Sequence, residues 1–288
     1  MYQSVFRPNL FAEKSIIVTG GGSGLGRCAA HELASLGARI ALLGRRLDRL
    51  ETVAEEIARS GGKADCYSCD IREEVAVKET VARVLENHGR IDALVNNAGG
   101  QFPALLRDIS LNGWNAVVNS NLTGGFLMSR ECFTQWMEQH GGNIVNITAD
   151  CWMGMPEMGH SGAARAGMTN LTETAAVEWA HCGVRVNAVA PGWVASSGFD
   201  TYAPQMQEKL ASWARHVPLK RHGTEAEVSA AIVFLLTDAA AFINGVTLRV
   251  DGGAPNAKAT WDMPDHQNSV GYDGFHLAVK PKVLRRDP

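Results

Sequence analysis

Four side chains that could take part in acid–base or oxyanion chemistry lie close together in the sequence. They are the carboxyl group of Asp150, the imidazole of His160, the hydroxyl of Ser161 and the guanidinium of Arg165. A strongly apolar run precedes this stretch, and a long helical pattern follows it. Because a loop between a strand and a helix is a common place for an active site, we predict one here.

The elements that must position these residues alternate between short β-branched strands and helices. This pattern is typical of a parallel sheet covered by helices on both faces, so we predict an α/β fold. We predict one domain over residues 1–253, followed by a tail over 254–288. The predicted strands are 15–19, 38–43, 63–69, 91–95, 143–148, 184–189 and 246–250, and the predicted helices are 27–37, 47–59, 73–88, 110–139, 162–181, about 200–215 and 225–236.

The bulk composition excludes several classes of partner. A net charge of −3 gives no basic surface for nucleic acid and no polybasic patch for a membrane. No apolar run approaches the roughly 20 residues that a membrane span needs, and the N-terminus has no signal-peptide pattern. We therefore expect a cytoplasmic protein with a small-molecule substrate.

The six cysteines are scattered and do not suggest a disulfide framework. Cys66 and Cys69 match a C-x-x-C pattern, but they lie in a predicted strand. Residues three apart in a strand point to opposite faces, so we predict buried strand cysteines and no metal site.

A glycine-rich loop connects the first predicted strand to the first helix. Thr19, Gly20, Gly24 and Gly26 have the spacing Thr-Gly-x-x-x-Gly-x-Gly. Such a loop lets backbone N–H groups face a pyrophosphate at a helix N-terminus, where the helix dipole favours anions. The alternative is a glycine-rich turn without a ligand. Since a strand and a helix flank the loop as required, we predict dinucleotide binding.

Two arginines, Arg45 and Arg46, follow the second predicted strand, where no acidic residue is present. A carboxylate at this place would bind a free ribose 2′-hydroxyl, whereas an arginine fork suits a 2′-phosphate. The alternative is that both are solvated residues at the start of a helix. We favour NADP(H) over NAD(H).

Together with further motifs, this loop resembles the short-chain dehydrogenase/reductase family. The resemblance covers about residues 14–253 and implies a single Rossmann-type doubly wound domain with about seven parallel strands. It also implies hydride transfer to or from a nicotinamide, usually in a homotetramer. The further motifs that carry it are Asp70, Asn96-Asn97-Ala98-Gly99, Asn121, Arg185-Val186-Asn187 and Pro191-Gly192.

The resemblance also implies where the cofactor lies. Asp70 would border the adenine, and Asn97 to Gly99 would line the groove. Pro191, Gly192 and Val194 would contact the nicotinamide end. Residues 196–215 would form a mobile substrate lid. The full set of predicted cofactor-binding residues is Thr19, Gly20, Gly22, Ser23, Gly24, Leu25, Gly26, Arg45, Arg46, Asp70, Ile71, Asn97, Ala98, Gly99, Arg165, Pro191, Gly192 and Val194.

The catalytic positions depart from the pattern of most family members, which carry a Ser followed by Tyr-x-x-x-Lys. Ser161 stands at the Tyr position and Arg165 at the Lys position, while Thr148 has the spacing of the upstream Ser. No tyrosine lies between Tyr67 and Tyr202, so none can substitute locally. Loss of a positioned acid or base typically costs 10²–10⁴-fold, which argues against the ordinary carbonyl reaction.

Reduction of a double bond conjugated to a thioester has a different requirement. Hydride goes to the β-carbon, and negative charge collects on the thioester oxygen as an enolate. Hydrogen-bond donors to that oxygen are each worth on the order of 10²–10³ in rate. A serine hydroxyl and an Asn121 amide near the charge of Arg165 can supply them without a phenol.

Within the family, the chain resembles the branch of trans-2-enoyl-CoA reductases. The segments 97–102, 160–167 and 263–266 carry this resemblance, which implies NADPH-dependent reduction of a trans-2-enoyl-CoA. The related 2,4-dienoyl-CoA reductases also have Ser at the Tyr position but keep the Lys. Bacterial members with the His-x-Gly-Ala-Ala-Arg signature are linked to oxidation of citronellol, a terpenoid alcohol. Our leading hypothesis is the acyl-CoA reductase; the alternatives are a terpenoid alcohol dehydrogenase and a cofactor-binding protein without activity.

Each candidate catalytic residue also has a non-catalytic interpretation. Asn121 could donate to a thioester oxygen, hold a water or only kink a helix. Ser161 is our choice as oxyanion donor, although it could be a helix cap. Arg165 could hold the nicotinamide ribose or lie on the surface. Asp150 could be a site acid or a turn residue, and His160 could deliver a proton or only pack.

Two further segments have open interpretations. An apolar group could be a substrate wall or part of the core. The tail segment 262–276 could close the pocket of a neighbouring subunit or lie on its own surface. The apolar group consists of Trp152, Met153, Met155 and Met158.

Overall fold

Seven parallel strands form one sheet in a computed structural model that describes residues 1–258 and 260–285. The order across the sheet is β3-β2-β1-β4-β5-β6-β7, and every neighbouring pair is parallel. This confirms the predicted Rossmann-type α/β fold. The strands are β1 (Ser15–Thr19), β2 (Arg39–Gly44), β3 (Lys63–Ser68), β4 (Ala93–Asn96), β5 (Gly142–Ile147), β6 (Val184–Pro191) and β7 (Thr247–Val250).

Helices cover both faces of the sheet. One apolar core joins the first face to α1, α2 and α9, and a second core joins the other face to α3, α5 and α7. The predicted two-sided covering is therefore confirmed. The helices are α1 (Gly24–Ser35), α2 (Leu47–Arg59), α3 (Glu74–His88), α4 (Leu111–Val118), α5 (Gly124–Cys132), α6 (Glu138–His140), α7 (Gly159–Glu178), α8 (Pro204–Ser212) and α9 (Glu225–Leu236).

Local sequence explains why these elements form where they do. All five residues of β1 are buried, which fits a strand covered on both faces. Helix α2 buries Leu50, Val53 and Ile57, the i, i+3, i+7 spacing of one helix face. Helix α9 begins with a capping box, because Thr224 accepts from the Glu227 amide while Glu227 accepts from the Thr224 amide.

The long helix predicted over 110–139 is continuous from 111 to 140, but it is not a regular α-helix. Two π-helical turns, Asn119–Thr123 and Phe133–Met137, interrupt it. In the first turn, the side chain of Asn121 donates to the carbonyl of Val117 at 3.0 Å, which competes with the backbone ladder. The hydrophobic periodicity predicted the helix but not these wide turns.

The strand order reverses between β1 and β4, which opens a crevice at their carboxyl ends. Gly20 follows β1 with a φ of +67°, a conformation that favours glycine. A β-carbon at Gly20 would lie 2.9 Å from the α-carbon of Ala98, so the two loops can meet only with glycine there. The fold thus brings the glycine-rich loop against the loop after β4.

The cysteines take structural positions. Cys66 packs against the core that contains α1, whereas Cys69 belongs to the core on the other face, as the strand geometry predicts. All six cysteines are free thiols. Within the described ranges, no cluster of three or more His, Cys, Asp or Glu residues could hold a metal ion. No helix in those ranges is long and apolar enough to cross a membrane.

The C-terminal tail lies on its own chain and pairs with the N-terminus over helix α1. The backbone amide of Gln3 donates to the carbonyl of Gly274 at 2.9 Å. The Phe275 ring is 2% exposed and lies 5.8 Å from the Tyr2 ring and 5.2 Å from the Arg27 guanidinium. We call this arrangement of residues 2–4 and 272–277 the clasp. Within the single chain that the structure describes, the clasp part of the segment 262–276 packs on its own chain; a contact with a neighbouring subunit stays a prediction.

A buried carboxylate lies under the clasp. Glu32 of α1 accepts hydrogen bonds from the hydroxyls of Tyr2 (3.0 Å), Ser4 (2.8 Å) and Ser229 (2.5 Å). Burial raises the pKa of Glu32. Three hydroxyl donors satisfy this carboxyl group, and they tie the N-terminus to α1 and α9.

The segment 196–215 folds as a 3₁₀ turn (Ser197–Thr201), helix α8 and a second 3₁₀ turn (Trp213–His216), close to the predicted polar helix. An ion pair and a backbone hydrogen bond are among the contacts that connect it to the rest of the chain. Lys209 forms an ion pair of 2.8 Å with Glu157 in the loop before α7. The backbone amide of Lys282 in the tail donates to Asp200 at 2.9 Å. Residues 259 and 286–288 of the predicted tail lie outside the described residues.

We predict that Phe275→Ala lowers the free energy of unfolding by about 3 kcal/mol, since it removes a buried aromatic ring from the clasp. Urea unfolding at fixed protein concentration would measure the loss. Val270→Ala is the matched control, because Val270 lies in the same tail and is 87% exposed. Equal stability of the two variants would show that the tail does not contribute to folding.

Candidate active site

The glycine-rich loop forms a cradle at the crevice between β1 and β4. A β-carbon at Gly26 would overlap the carbonyl of Gly20 and the side chain of Asn97. Thr19 Oγ1 accepts from the backbone amides of Asn97 (3.0 Å) and Ala98 (2.9 Å) and so joins the two loops. Helix α1 begins at Gly24, so its free N–H groups face this crevice. A bound anion such as a pyrophosphate fits a cradle of this kind.

A cavity of about 370 Å³ extends from the cradle to the ends of β2 and β3. Three arginines on its wall, Arg45, Arg46 and Arg49, have exposed side chains with no hydrogen bond or ion pair to another described residue. Arg49 was missed by the sequence analysis, although it lies one helical turn after Arg45 and Arg46. Three unpaired guanidinium groups fit an additional phosphate on the adenosine side of a dinucleotide.

Asp70 lies on the same wall, at the place predicted for the adenine. Its carboxylate accepts from Arg72 Nε at 2.9 Å, and this hydrogen bond is the main reason that the pKa of Asp70 is lowered. Arg72 was not predicted as a site residue. Its pairing keeps Asp70 ionised while the three other guanidinium groups stay free.

The structure places most predicted cofactor residues around this groove. Thr19 and Asn97 hold the two loops together, and Gly24, Leu25 and Gly26 begin helix α1. At the far end, Gly192 packs against the backbone of Asp251, and Val194 forms a bridge to Gly223. The predicted residues that line the cavity itself are Gly20, Gly22, Ser23, Arg45, Arg46, Asp70, Ile71, Ala98 and Gly99.

A buried carboxyl group beside the cradle was not found from the sequence. Glu225 begins helix α9, and a β-carbon at Gly24 would lie 3.9 Å from its Oε1 atom. Burial raises the pKa of Glu225 to about 7. Only the packing of α9 against α1 brings it there, so no local signal could reveal it.

Ser161 is fully buried in the first turn of α7. Its hydroxyl donates to the side-chain Oε1 of Gln101 at 2.6 Å. Met158 precedes the helix as its N-cap residue, so the alternative that Ser161 is the cap does not describe this structure. Gln101 was not among the predicted site residues, and it lies in the loop after β4.

Arg165 lies one turn further along α7; the residue as a whole is partly exposed, but its guanidinium is enclosed by the protein. Nη1 donates to the carbonyl of Ile147 at the end of β5, and Nε has no hydrogen-bond partner among the described residues. No carboxylate of a described residue lies within ion-pair distance of it. Burial lowers the pKa of Arg165 to about 10. The interpretation of Arg165 as a surface residue is therefore wrong. The site contains a buried positive charge without a carboxylate partner among the described residues.

Asn121 holds the loop that carries Gln101. Its amide nitrogen donates to the carbonyls of Gly100 (2.6 Å) and Val117 (3.0 Å), and its Oδ1 accepts from the amide of Gly100 (3.2 Å). Both amide hydrogens are thus engaged within the protein. A β-carbon at Gly99 would overlap the Asn121 side chain and lie 2.8 Å from Arg165 Nη2.

His160 is buried next to Ser161 and contacts the same loop. Its ring meets the Phe102 ring edge-on with centroids 4.5 Å apart. Nδ1 accepts from the backbone amide of Ser161 at 2.9 Å, and the buried Nε2 has no partner among the residues that the structure describes. Because Nδ1 is the acceptor, Nε2 is the ring nitrogen that can donate.

Asp150 and Thr148 lie at the carboxyl end of β5. Thr148 is buried and donates to the carbonyl of Val189 at 3.3 Å, which joins β5 to β6. Asp150 is half-buried, and burial followed by the nearby charge of Asp251 raises its pKa. Asp251 itself is paired with Arg249 at 2.7 Å. The surroundings of Asp150 therefore favour its protonated form more than those of an ordinary aspartate do.

The predicted apolar group splits between surface and core. Trp152 and Met153 are exposed, and the Arg249 guanidinium lies 5.3 Å from the Trp152 ring centre. Met158 is buried, and Met155 lies against Gly162 of α7. Met155 is half-buried, so the group extends from the core at Met158 to the surface at Trp152 and Met153.

Comparisons with known proteins agree with this geometry. A family model described as enoyl-(acyl carrier protein) reductase matches residues 20–255. A probable 2,4-dienoyl-CoA reductase of Bacillus subtilis (strain 168) is 37% identical over 244 residues, which cover 84% of this chain and 96% of that protein. The protein belongs to the short-chain dehydrogenase/reductase family. It is thus an oxidoreductase of a family that uses NAD(P), as the sequence motifs predicted.

Solved structures of this family match almost the whole fold. A citronellol catabolism dehydrogenase of Pseudomonas aeruginosa PAO1 is 57% identical, with a TM-score of 0.80, over 88% of this chain and 99% of that chain. A putative NAD(P)-dependent gluconate 5-dehydrogenase of Beutenbergia cavernae, solved with bound NADP at low occupancy, is 33% identical. Its TM-score is 0.80, over 87% of this chain and all of that chain.

Proposed function

We propose that this oxidoreductase interconverts an acyclic terpenoid alcohol of the citronellol type and the corresponding aldehyde. The observation that carries the proposal is the 57% identity to the citronellol catabolism dehydrogenase over 88% of the chain. This places the terpenoid alternative of the sequence analysis above the acyl-CoA hypothesis. The exposed side chains of Trp152 and Met153 give the site an apolar surface suited to an isoprenoid chain.

The residues on α7 suit a reaction in which a substrate oxygen gains negative charge. A nicotinamide cofactor, when bound, supplies the acceptor or donor of the hydride. The buried charge of Arg165 stabilises an alkoxide because no carboxylate neutralises it. The hydroxyl of Ser161 hydrogen-bonds the same oxygen, and Asp150 accepts the proton that the alcohol loses. These roles use Ser161, Arg165 and Asp150 in place of the Tyr and Lys of most family members.

A second candidate is NADPH-dependent reduction of the double bond of a trans-2-enoyl-CoA or dienoyl-CoA. The 37% identity to the probable 2,4-dienoyl-CoA reductase favours it. The same Ser161 hydroxyl and Arg165 charge would stabilise the enolate that forms on the thioester oxygen. This reaction needs no base in the first step, so it does not require Asp150.

For the cofactor, we propose NADP(H) over NAD(H). Support comes from the three unpaired guanidinium groups of Arg45, Arg46 and Arg49 and from the absence of a free carboxylate beside them on this wall, since Asp70 is paired with Arg72. The segment 196–215 is proposed as the substrate lid. We also propose a homotetramer, which the family resemblance implies; the exposed Val177 and Phe242 offer apolar contact surface.

Assays with both substrate classes test the proposal. The purified protein is given citronellol with NADP⁺ or NAD⁺, and enoyl-CoA thioesters of several lengths with NADPH, while the nicotinamide absorbance is followed. We expect alcohol-dependent reduction of the cofactor, which Ser161→Ala lowers by 10²–10³-fold. Turnover of thioesters alone would establish the second candidate. Tight cofactor binding without any turnover would indicate a cofactor-binding protein.

We predict that Arg45→Ala, Arg46→Ala and Arg49→Ala each weaken NADPH binding by about 10-fold, the typical worth of one hydrogen bond to a charged group. NADH binding should stay unchanged, because NADH lacks the 2′-phosphate. Nicotinamide fluorescence titrations measure both affinities. The matched control is Arg59→Ala at the other end of α2, where Arg59 pairs with Glu55. Equal losses for NADPH and NADH would contradict a 2′-phosphate site.

We predict an acid limb in the pH profile of alcohol oxidation. A raised pKa means that Asp150 becomes protonated at a higher pH than an ordinary aspartate, about 3.9, and a protonated carboxyl cannot accept the alcohol proton. As pH falls through that pKa, kcat/KM should fall. Asp150→Asn should cost 10²–10⁴-fold and abolish this limb. Asp262→Asn, in the exposed tail, is the control; an unchanged profile in Asp150→Asn would exclude Asp150 as the acceptor.

A further inference from the structure

The structure brings a tyrosine hydroxyl into the network of Ser161, although no tyrosine is near it in the sequence. Ser161 donates to Gln101 Oε1 at 2.6 Å, and Gln101 Nε2 donates to the hydroxyl of Tyr202 at 3.4 Å. Tyr202 lies in the segment 196–215, just before helix α8. One glutamine side chain thus connects a residue of α7 to the proposed lid.

The backbone on both sides of Gln101 is held firmly. The side chain of Asn121 accepts from the backbone amide of Gly100 and donates to the carbonyl of Gly100. On the other side, the Phe102 ring packs against the buried His160 ring. Two residues later, Ala104 donates to the carbonyl of Glu157 at 2.7 Å. Asn121 and His160 therefore fix the place of Gln101, while its side chain reaches Ser161.

Tyr202 is also anchored within its own segment. Gln207 of α8 donates from its side chain to the carbonyl of Tyr202 at 2.8 Å, and the amide of Tyr202 donates to the carbonyl of Phe199 at 3.2 Å. Phe199 is buried against the ring of His222 at 5.6 Å. The phenol therefore reaches Gln101 only when this segment lies in the position that the structure has.

Ser161 has a single hydroxyl proton, and its direction decides what the residue can do. When the proton points to Gln101 Oε1, Ser161 has no proton to donate to a substrate oxygen. If the amide of Gln101 turns over, its NH₂ group donates to Ser161 and frees the serine proton for an aldehyde or alkoxide oxygen. The two amide orientations have nearly the same shape, and a tyrosine hydroxyl can donate or accept, so Tyr202 is compatible with both.

We propose that Gln101 is a positioning residue that sets the direction of the Ser161 hydroxyl, and that Tyr202 holds Gln101 in place when the lid segment is closed. The inference rests on the proposed function in so far as Ser161 is assigned the substrate oxygen. It gives Asn121 and His160 a role that needs no contact with substrate, because both hold the loop of Gln101. It also makes closure of the lid a condition for a correctly oriented Ser161.

The first test is a double-mutant cycle in the full-length protein, with the substrate that is turned over. Gln101→Met removes both hydrogen bonds and should lower kcat/KM by about 10²-fold, as expected for a misplaced catalytic group. In a Ser161→Ala background, the same change should have an effect of less than about 2-fold, because its partner is already missing. If the double variant instead loses kcat/KM by the product of the two single losses, the two residues act independently and the proposal is wrong.

The second test uses the carboxyl analogue of the glutamine. A protonated Gln101→Glu side chain can donate and accept, whereas the ionised form can only accept. Activity of this variant should therefore be close to that of the original protein at low pH and fall as pH rises through the pKa of the introduced carboxyl group. A profile parallel to that of the original protein would show that donation from residue 101 is not needed.

The third test measures the lid without catalysis. Backbone hydrogen exchange of residues 197–213 should become faster in Tyr202→Phe and in Gln101→Met. Tyr272→Phe is the matched control, since the hydroxyl of Tyr272 donates to the carbonyl of Gln3 in the clasp and not to the segment 196–215. Unchanged exchange in the first two variants would overturn the link between Gln101 and the lid, even if neither substrate class is turned over. Failure of the proposed function alone would abolish turnover and leave the exchange difference intact.

Discussion

A buried positive charge without a carboxylate partner is the constraint around which the site is built. Removing a guanidinium from water costs several kcal/mol unless neighbouring groups compensate. Arg165 donates to the carbonyl of Ile147, and its Nη2 atom lies against Gly99. In the function proposed above, a substrate oxygen that carries negative charge, as an alkoxide or as an enolate, is the partner of this guanidinium.

The parallel sheet explains why this charge and the cofactor cradle face one another. The carboxyl ends of β1, β4, β5 and β6 lie at one edge, so the loops that follow them meet there. Glycines at positions 20, 26 and 99 are needed because neighbouring loops and side chains occupy the space of a β-carbon. The close approach of the loops, rather than flexibility, accounts for these glycines.

The sequence was sufficient for the sheet, the cradle and the positions of Ser161 and Arg165, because strand patterns and loop motifs are local. The ends of β1, α2 and α9 agree with the prediction, whereas other strand and helix ends differ by one to four residues, as for α1, which begins at Gly24 rather than 27. The hydrogen bonds of Gln101 could not be predicted from the sequence, because their partners lie 60 and 101 positions away along the chain. The sequence gives no reason to connect Tyr202 with Ser161, because the two lie 41 positions apart. Glu225 beside the cradle depends in the same way on helix packing that no local pattern records.

The π-helical turn at Asn119–Thr123 places Asn121 at the site without changing which helix face packs in the core. A π-helical turn accommodates one extra residue, while the helix on either side keeps its faces in phase. Leu127 and Met128 remain buried in the core beyond it. Loss of one residue here would give an uninterrupted α-helix with the same apolar face and would remove the geometry of Asn121. In an alignment of related chains, such a loss would be visible as a one-residue gap inside a helix, flanked by unchanged apolar spacing.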